Sequence, residues 1–214
     1  MDLLVATGET LYMSVASLFF SYVLGLPLGV LTCETDVDGL FPNKVIHAIL
    51  NVIIGAGRAI PFTILMVLVL PLTRLLVGTG VGTTATIVPL TLAATPFVAR
   101  TIEQSLEQVT YDVVQSAKID NASILKIIIK IKLGSRLFDI VNSLGLTSIA
   151  IISYTAMAGT LGGGGLGNYA LVYGYYRYDW WKVAQATVIV IVIVCIFQWG
   201  FKLLSKPLDW RRKV

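Results

Sequence analysis

Apolar residues run through this chain in long blocks, and the polar stretches between the blocks mark out five spans. Residues 10–33 contain no charged side chain, a run longer than a helix needs to cross a bilayer core. An acidic loop follows at residues 34–39. The second block, residues 45–72, would reach roughly 42 Å as a single helix, and Gly55, Gly57, Arg58 and Pro61 interrupt it. Residues 45–57 are accordingly expected near one membrane boundary and residues 59–72 across the core, with Arg58 snorkelling at the interface. A loop at residues 73–82 returns the chain. The third span, residues 83–99, is rich in Thr and Ala and carries Pro89 and Pro96, a composition suited to close helix packing rather than lipid contact. The fourth and fifth spans cover residues 137–157 and 183–204.

Between spans three and four the pattern changes. Residues 100–136 hold six of the sixteen Lys and Arg residues, namely Arg100, Lys118, Lys126, Lys130, Lys132 and Arg136. They read as two short amphipathic helices, over about residues 110–133. Thr110 is placed to cap the first, and Asp112 sits in its opening turn, where an acid suits the helix dipole. Val113, Val114 and Ala117 recur at helical spacing. Asp120 and Asn121 interrupt this helix, and Asn tolerates the left-handed conformation at a helix end. Ser123 is placed to cap the second, with Ile124, Ile127, Ile128 and Ile131 on one side and Lys126 and Lys130 one turn apart on another. Ten helical residues span only about 15 Å, so neither helix crosses a bilayer, and their apolar faces require a covering surface.

Composition agrees with a membrane protein. Hydrophobic residues make up 56% of the 214 and charged ones 13%, well below the usual quarter. The net charge of +4 therefore says little about nucleic acid, and its distribution speaks instead to orientation. The basic residues of 100–136, Lys44 and the C-terminal Lys206, Arg211, Arg212 and Lys213 fall on one side, against Arg74, Arg177 and Lys182 on the other. By the positive-inside rule the polar interlude and the C-terminus are cytoplasmic and the N-terminus external. The fold class expected is an all-α polytopic membrane protein. Its 214 residues form a single transmembrane domain of five helices, with a cytoplasmic two-helix element between spans three and four.

Other chemistry is sparse. No Lys or Arg precedes the first block, and Asp2 and Glu9 are acidic, which does not describe a cleaved signal. Cys33 and Cys195 show no metal-ligand or redox spacing and are taken as packing residues, and His47, the lone histidine, as structural. Gly162, Gly164 and Gly167 match a dinucleotide fingerprint literally but open no βαβ unit, so the glycines are expected to let backbones pass closely. Asn121-Ala122-Ser123 is a glycosylation sequon that its cytoplasmic position voids. Tyr169, Tyr173, Tyr175, Tyr176, Tyr178, Trp180 and Trp181 fit a membrane-interface belt. No nucleophile–base constellation is present, and no ionisable residue stands mid-span, since Asp139 lies within a turn of the end of span four. Ion-coupled carriers commonly place ionisable groups or unwound helices at mid-membrane. Their absence points to transport driven from outside the membrane domain.

The interlude also resembles a family motif. Permease subunits of binding-protein-dependent ABC importers carry a cytoplasmic Glu-Ala-Ala, then three residues, Gly, nine residues, Ile, one residue and Leu-Pro. The same spacing gives Gln115-Ser116-Ala117, Asn121, Ile131, Leu133 and Gly134 here, with Ala117, Ile131 and Leu133 matching and the Glu, the first Ala, the Gly and the Pro replaced. Residues Gly57-Arg58-Ala59-Ile60-Pro61-Phe62 are similar to the entry of the second span of methionine-type permeases. Thr95-Pro96-Phe97-Val98-Ala99-Arg100 resembles their third span, and Tyr154-Thr155-Ala156-Met157-Ala158-Gly159 with the glycines after it the end of their fourth.

This resemblance implies an ATP-driven importer permease, with methionine as the expected substrate, in a bacterial cytoplasmic (inner) membrane. It implies a homodimer, two cytoplasmic ATPase subunits that hold the ATP and Mg, an external substrate-binding lipoprotein, membrane lipid as surroundings and no cofactor in this chain. Gln115, Ser116, Ala117, Asn121, Ser123, Ile131 and Leu133 become the expected ATPase-coupling residues. Tyr154, Met157 and Ala158 are expected to line or gate the path. Other readings stay open: a permease for another small amino acid or peptide, a membrane scaffold that transports nothing, and, more weakly, a secondary carrier.

Overall fold

Small residues in the first span decide how the helices pack. Helix α1 (Leu3–Thr35) buries Ser17, Ser21, Gly25 and Gly29, one every four residues, against α5 (Thr83–Glu107). A Cβ at Gly29 would lie 2.4 Å from the Ala99 carbonyl oxygen and 2.7 Å from Ile102 Cβ. Only a residue without a side chain lets the two backbones approach so closely, which is how membrane helices gain packing without a hydrophobic drive between them. The Ser21 hydroxyl donates to Ser17 O at 2.5 Å. Helix α5 is the central element, with Leu90, Val98, Ala99 and Ile102 wholly enclosed.

The computed structural model describes residues 2–208, so Arg211, Arg212 and Lys213 of the expected cytoplasmic tail lie outside the described residues. Every regular element among the described residues is helical. Four helices are long and apolar enough to cross a membrane, and a bent pair makes up to five. That pair is α2 (Lys44–Ala59) and α3 (Phe62–Leu68), which meet at 107° across Ile60 and Pro61. Proline cannot supply the backbone donor that would carry the helix through. A further helix, α4 (Leu70–Val77), stands where residues 73–82 read as loop.

Helix α8 (Leu137–Thr160) joins the core through Ser143 Oγ, 2.7 Å from Tyr22 Oη. The chain then dips back as α9 (Gly165–Leu171). Its entry uses Gly164 and Gly165 at φ 80° and 73°, a left-handed region that glycine occupies at no steric cost. There the Gly165 N–H donates to Glu9 Oε2 at 2.6 Å and the Leu166 N–H to Thr10 Oγ1 at 2.8 Å. The outermost helix, α10 (Trp180–Ser205), buries only Ala186, Ile193 and Ser205. Asp179 caps it, and the Lys182 side chain beside it holds that carboxyl below the usual carboxylate range.

Several expectations change. Helix α1 begins at Leu3 and ends at Thr35, so Glu9 and Glu34 are helical residues rather than flanking acids. Helix α5 continues past residue 99 to Glu107 and carries Arg100 within it. Cys195 is exposed on α10 and packs no core, while Cys33 is buried. His47 is indeed built in. Its Nδ1 lies 3.0 Å from Thr32 O and its Nε2 2.8 Å from Asn51 Nδ2, so Nδ1 carries the proton and Nε2 accepts. Asn51 in turn accepts from Arg100, which pairs with the buried Glu103 at 2.8 Å.

Candidate coupling element and transport cavity

Helix α6 (Tyr111–Ile119) is followed by Asn121 at φ 53°, the left-handed turn its sequence anticipates. Thr110 and Ser123 occupy the two N-cap positions, but neither side chain makes a capping hydrogen bond. The second helix starts as α7 (Ile124–Lys126) and continues as a π-helix over Ile127–Leu133. Gly134 keeps helical angles, φ −60° and ψ −44°. The proline of the motif described above has no backbone N–H to donate at this place, whereas the Gly134 N–H donates to Ile129 O.

The π winding alters which residues face inward. An α-helix would put Ile124, Ile127, Ile128 and Ile131 on one side, but bonding to the fifth residue brings Lys132 to the buried side with Ile127. Ile124 is exposed instead. Val114, Ala117 and Ile127 pack together with Leu40 and Ile131, so the two short helices cover each other and the α1–α2 loop. Left uncovered are Ile119 at 78%, Leu125 at 69% and Ile129 at 53% exposure. Of the residues singled out by motif, Ser116, Asn121 and Ser123 are exposed, and Gln115, half-buried, donates to Tyr111 Oη. Ala117 and Ile131 hold the helices together, and Leu133 packs on the Cys33–Ile102–Ile140 cluster.

Lys132 ties the element to the bundle. Its Nζ lies 2.7 Å from Glu34 Oε1, with the two side chains only 6% and 3% exposed. The other carboxylate oxygen of Glu34 accepts from Leu40 N–H at 3.1 Å. A second tie runs through Arg136, which donates to Gln108 Oε1 at 3.2 Å and pairs with Asp139 at 3.5 Å. Sequence reading missed the first tie because Glu34 and Lys132 stand 98 positions apart, and no local pattern joins them.

The residues expected on the path are separated by the structure. Tyr154 stacks on Phe62 with ring centroids 4.9 Å apart and planes 8° from parallel. Beside this stack is a cavity of about 210 Å³ at the α2–α3 break, lined also by Gly57, Arg58, Ala93 and Phe97. Met157, one turn further along α8, is 43% exposed. Ala158 turns the other way and is fully buried among Met13, Phe62, Met66 and Leu90, so it lines no open space in this conformation. Arg58, expected at the membrane interface, lines this cavity. Among the described residues no cluster of His, Cys, Asp or Glu is arranged to hold a metal.

The chain has close relatives over its whole length. A family profile described as "Binding-protein-dependent transport system inner membrane component" matches residues 22–209. A probable D-methionine transport system permease protein, MetI, of Vibrio cholerae is 46% identical over 98% of this chain and 93% of that protein. The methionine import system permease protein MetP of Bacillus subtilis is 37% identical over 96% and 93%. A solved structure described as an inward-facing conformation of the MetNI methionine ABC transporter superposes with a TM-score of 0.94 at 35% identity, covering 98% of this chain and 97% of that one. With its broken second span and its helical interlude between α5 and α8, the chain belongs to the methionine-importer family of permeases, the multi-pass inner-membrane components of binding-protein-dependent transport systems.

Proposed function

We propose that this chain forms the translocation path for methionine in an ATP-driven importer, as a homodimer with two cytoplasmic ATPase subunits and an external binding lipoprotein. The observation that carries this reading is the full-length likeness, at a TM-score of 0.94 and 35% identity, to a methionine ABC transporter. ATP hydrolysis belongs to the separate subunit, and ATP with its Mg binds there. The N-terminus is external and the C-terminus cytoplasmic, in keeping with the basic residues at the α6–α7 end.

The exposed surface of the interlude docks on the ATPase. Ser116, Asn121 and Ser123 contribute to it with Ile119, Leu125 and Ile129, while Gln115, Ala117, Ile131 and Leu133 keep its shape. Closure of the ATPase pair moves this element, and the Glu34–Lys132 and Arg136 ties carry the movement into α1, α5 and α8. Rigid-body motion of packed helices then exchanges inward- and outward-facing states. Met157, exposed on α8, meets its counterpart near the dimer axis, and Tyr154 lines the cavity beside it.

The test is reconstitution with the ATPase and lipoprotein encoded beside this chain. Methionine uptake should require ATP and the lipoprotein, and the lipoprotein with methionine should stimulate hydrolysis. Uptake of a different small amino acid or peptide would change the substrate assignment. A stoichiometric complex whose ATPase responds to no substrate would favour a scaffold.

A further inference from the structure

A basic side chain, Arg58, stands beside a cavity at the break between α2 and α3 with no protein partner among the described residues. A Cβ at Gly57 would meet Pro96 Cγ at 2.6 Å, which fixes the end of α2 against the middle of α5. Pro96 lies about 20 Å from the Thr83 end of α5 and about 6 Å, one turn, before Arg100, at 1.5 Å per residue. Arg58 is the next residue, and among the described residues it makes no ion pair or hydrogen bond. A charge here is costly unless it faces a wet cavity or a counter-charge, and Arg58 does face a cavity.

The cavity suits one class of occupant. Its volume of about 210 Å³ accommodates roughly seven waters at ~30 Å³ each, the scale of one small molecule. No acidic side chain lines it, so the positive charge of Arg58 is the only formal charge on its wall. The Phe62–Tyr154 stack, Ala93 and Phe97 share the cavity wall with Arg58. A planar, five-donor guanidinium matches a carboxylate through two parallel hydrogen bonds, and the aromatic and small residues match an apolar side chain. We propose that this cavity is a membrane-embedded subsite for a zwitterionic α-amino acid, in which Arg58 pairs with the carboxylate and the Phe62–Tyr154 wall receives an apolar side chain. The assignment rests on the importer reading and adds to it a recognition step within the permease, after release from the binding protein.

The experiment uses the permease–ATPase complex in proteoliposomes, with radiolabelled L-methionine as probe, and the same complex in detergent without the lipoprotein for direct binding. Arg58→Gln should lower uptake at least tenfold and abolish direct methionine binding, while size-exclusion behaviour and basal ATP hydrolysis stay as in the wild type. Arg58→Lys keeps the charge but loses the fork, and should assemble normally with uptake reduced about threefold or more. This variant protects the test against a folding defect in the first. Methioninol, which lacks the carboxylate, should not displace methionine from the detergent complex. Uptake and binding within twofold of wild type in Arg58→Gln, or displacement by methioninol as strong as by methionine, would overturn the subsite and leave Arg58 to headgroups or solvent. If the wild-type complex transports no methionine, the importer reading for that substrate fails. Binding of other zwitterionic amino acids to the detergent complex, with and without Arg58, then decides the subsite on its own.

Discussion

Replacing Lys132 by Met should leave the Glu34 carboxylate, 3% exposed, facing no cation. The remaining partner of that carboxylate would be the Leu40 N–H at 3.1 Å. Breaking a buried pair from one side costs about 3–5 kcal/mol, because the surviving charge stays desolvated. For a chain of this size each kcal/mol lowers the thermal midpoint by roughly 2–4 °C, so a drop of at least about 6 °C is expected for the detergent-solubilised permease–ATPase complex. The loss should concentrate at the tie between α1 and the π-helical turn, so hydrogen exchange should rise over residues 127–136 before it rises in α5. Transport per ATP hydrolysed should fall with it. Glu34→Gln with Lys132→Met removes both charges while Gln still accepts from Leu40, and should recover most of the midpoint, since a neutral well-packed replacement is often harmless. A double-mutant cycle reads the coupling directly. A single variant within 2 °C of wild type, or a double variant no better than the single, would refute the reasoning.

Asn121→Gly should be tolerated, since Gly adopts φ 53° freely, whereas Asn121→Val should cost about 1–2 kcal/mol at the turn and lower both uptake and ATPase association, measured by co-purification. Gly29→Val should push α1 off the Ala99 carbonyl, costing about 1–3 kcal/mol as overpacking does, visible as a lower thermal midpoint and a loss of monodisperse complex. Met157→Ala should change uptake or uncouple hydrolysis without disturbing assembly, and unaltered transport would return Met157 to a packing role. In a background lacking Cys33 and Cys195, an impermeant thiol reagent should label a cysteine at Asp2 in intact cells and spare one at Lys213.

What the sequence makes legible here is what depends on neighbours along the chain. The charge-free block of residues 10–33, the left-handed Asn121 and the break at Pro61 each follow from local composition, and the structure has α1, a φ of 53° and a 107° bend at those places. The interlude's spacing gives two short helices but not their buried faces. Lys132 joins Ile127 on the buried side because the turn between them is π rather than α, and helical spacing alone does not announce a change of pitch. Long-range partners are likewise invisible. Glu9 reads as a flanking acid until α9 brings Gly165 back to it, and Glu34 reads as loop until Lys132 arrives 98 positions later. Ala158, adjacent to Met157, was grouped with it by proximity, yet consecutive helical residues point about 100° apart and the two face different surroundings.

Helix α10 carries one more implication. Its 26 residues reach about 39 Å at 1.5 Å each, while the hydrocarbon slab is about 30 Å thick. Because only Ala186, Ile193 and Ser205 are enclosed by protein, the surrounding lipid, with Trp180 and Trp181 at one water boundary, governs how far this helix leans. Helices longer than the slab relieve the mismatch by tilting, at fractions of a kcal/mol per ångström. A thinner or thicker bilayer therefore bears first on α10 and, through its packing against α8, on the helix that carries Tyr154 and Met157. Under the proposed importer reading, bilayer thickness is then expected to bear on Tyr154 and Met157 independently of the ATPase.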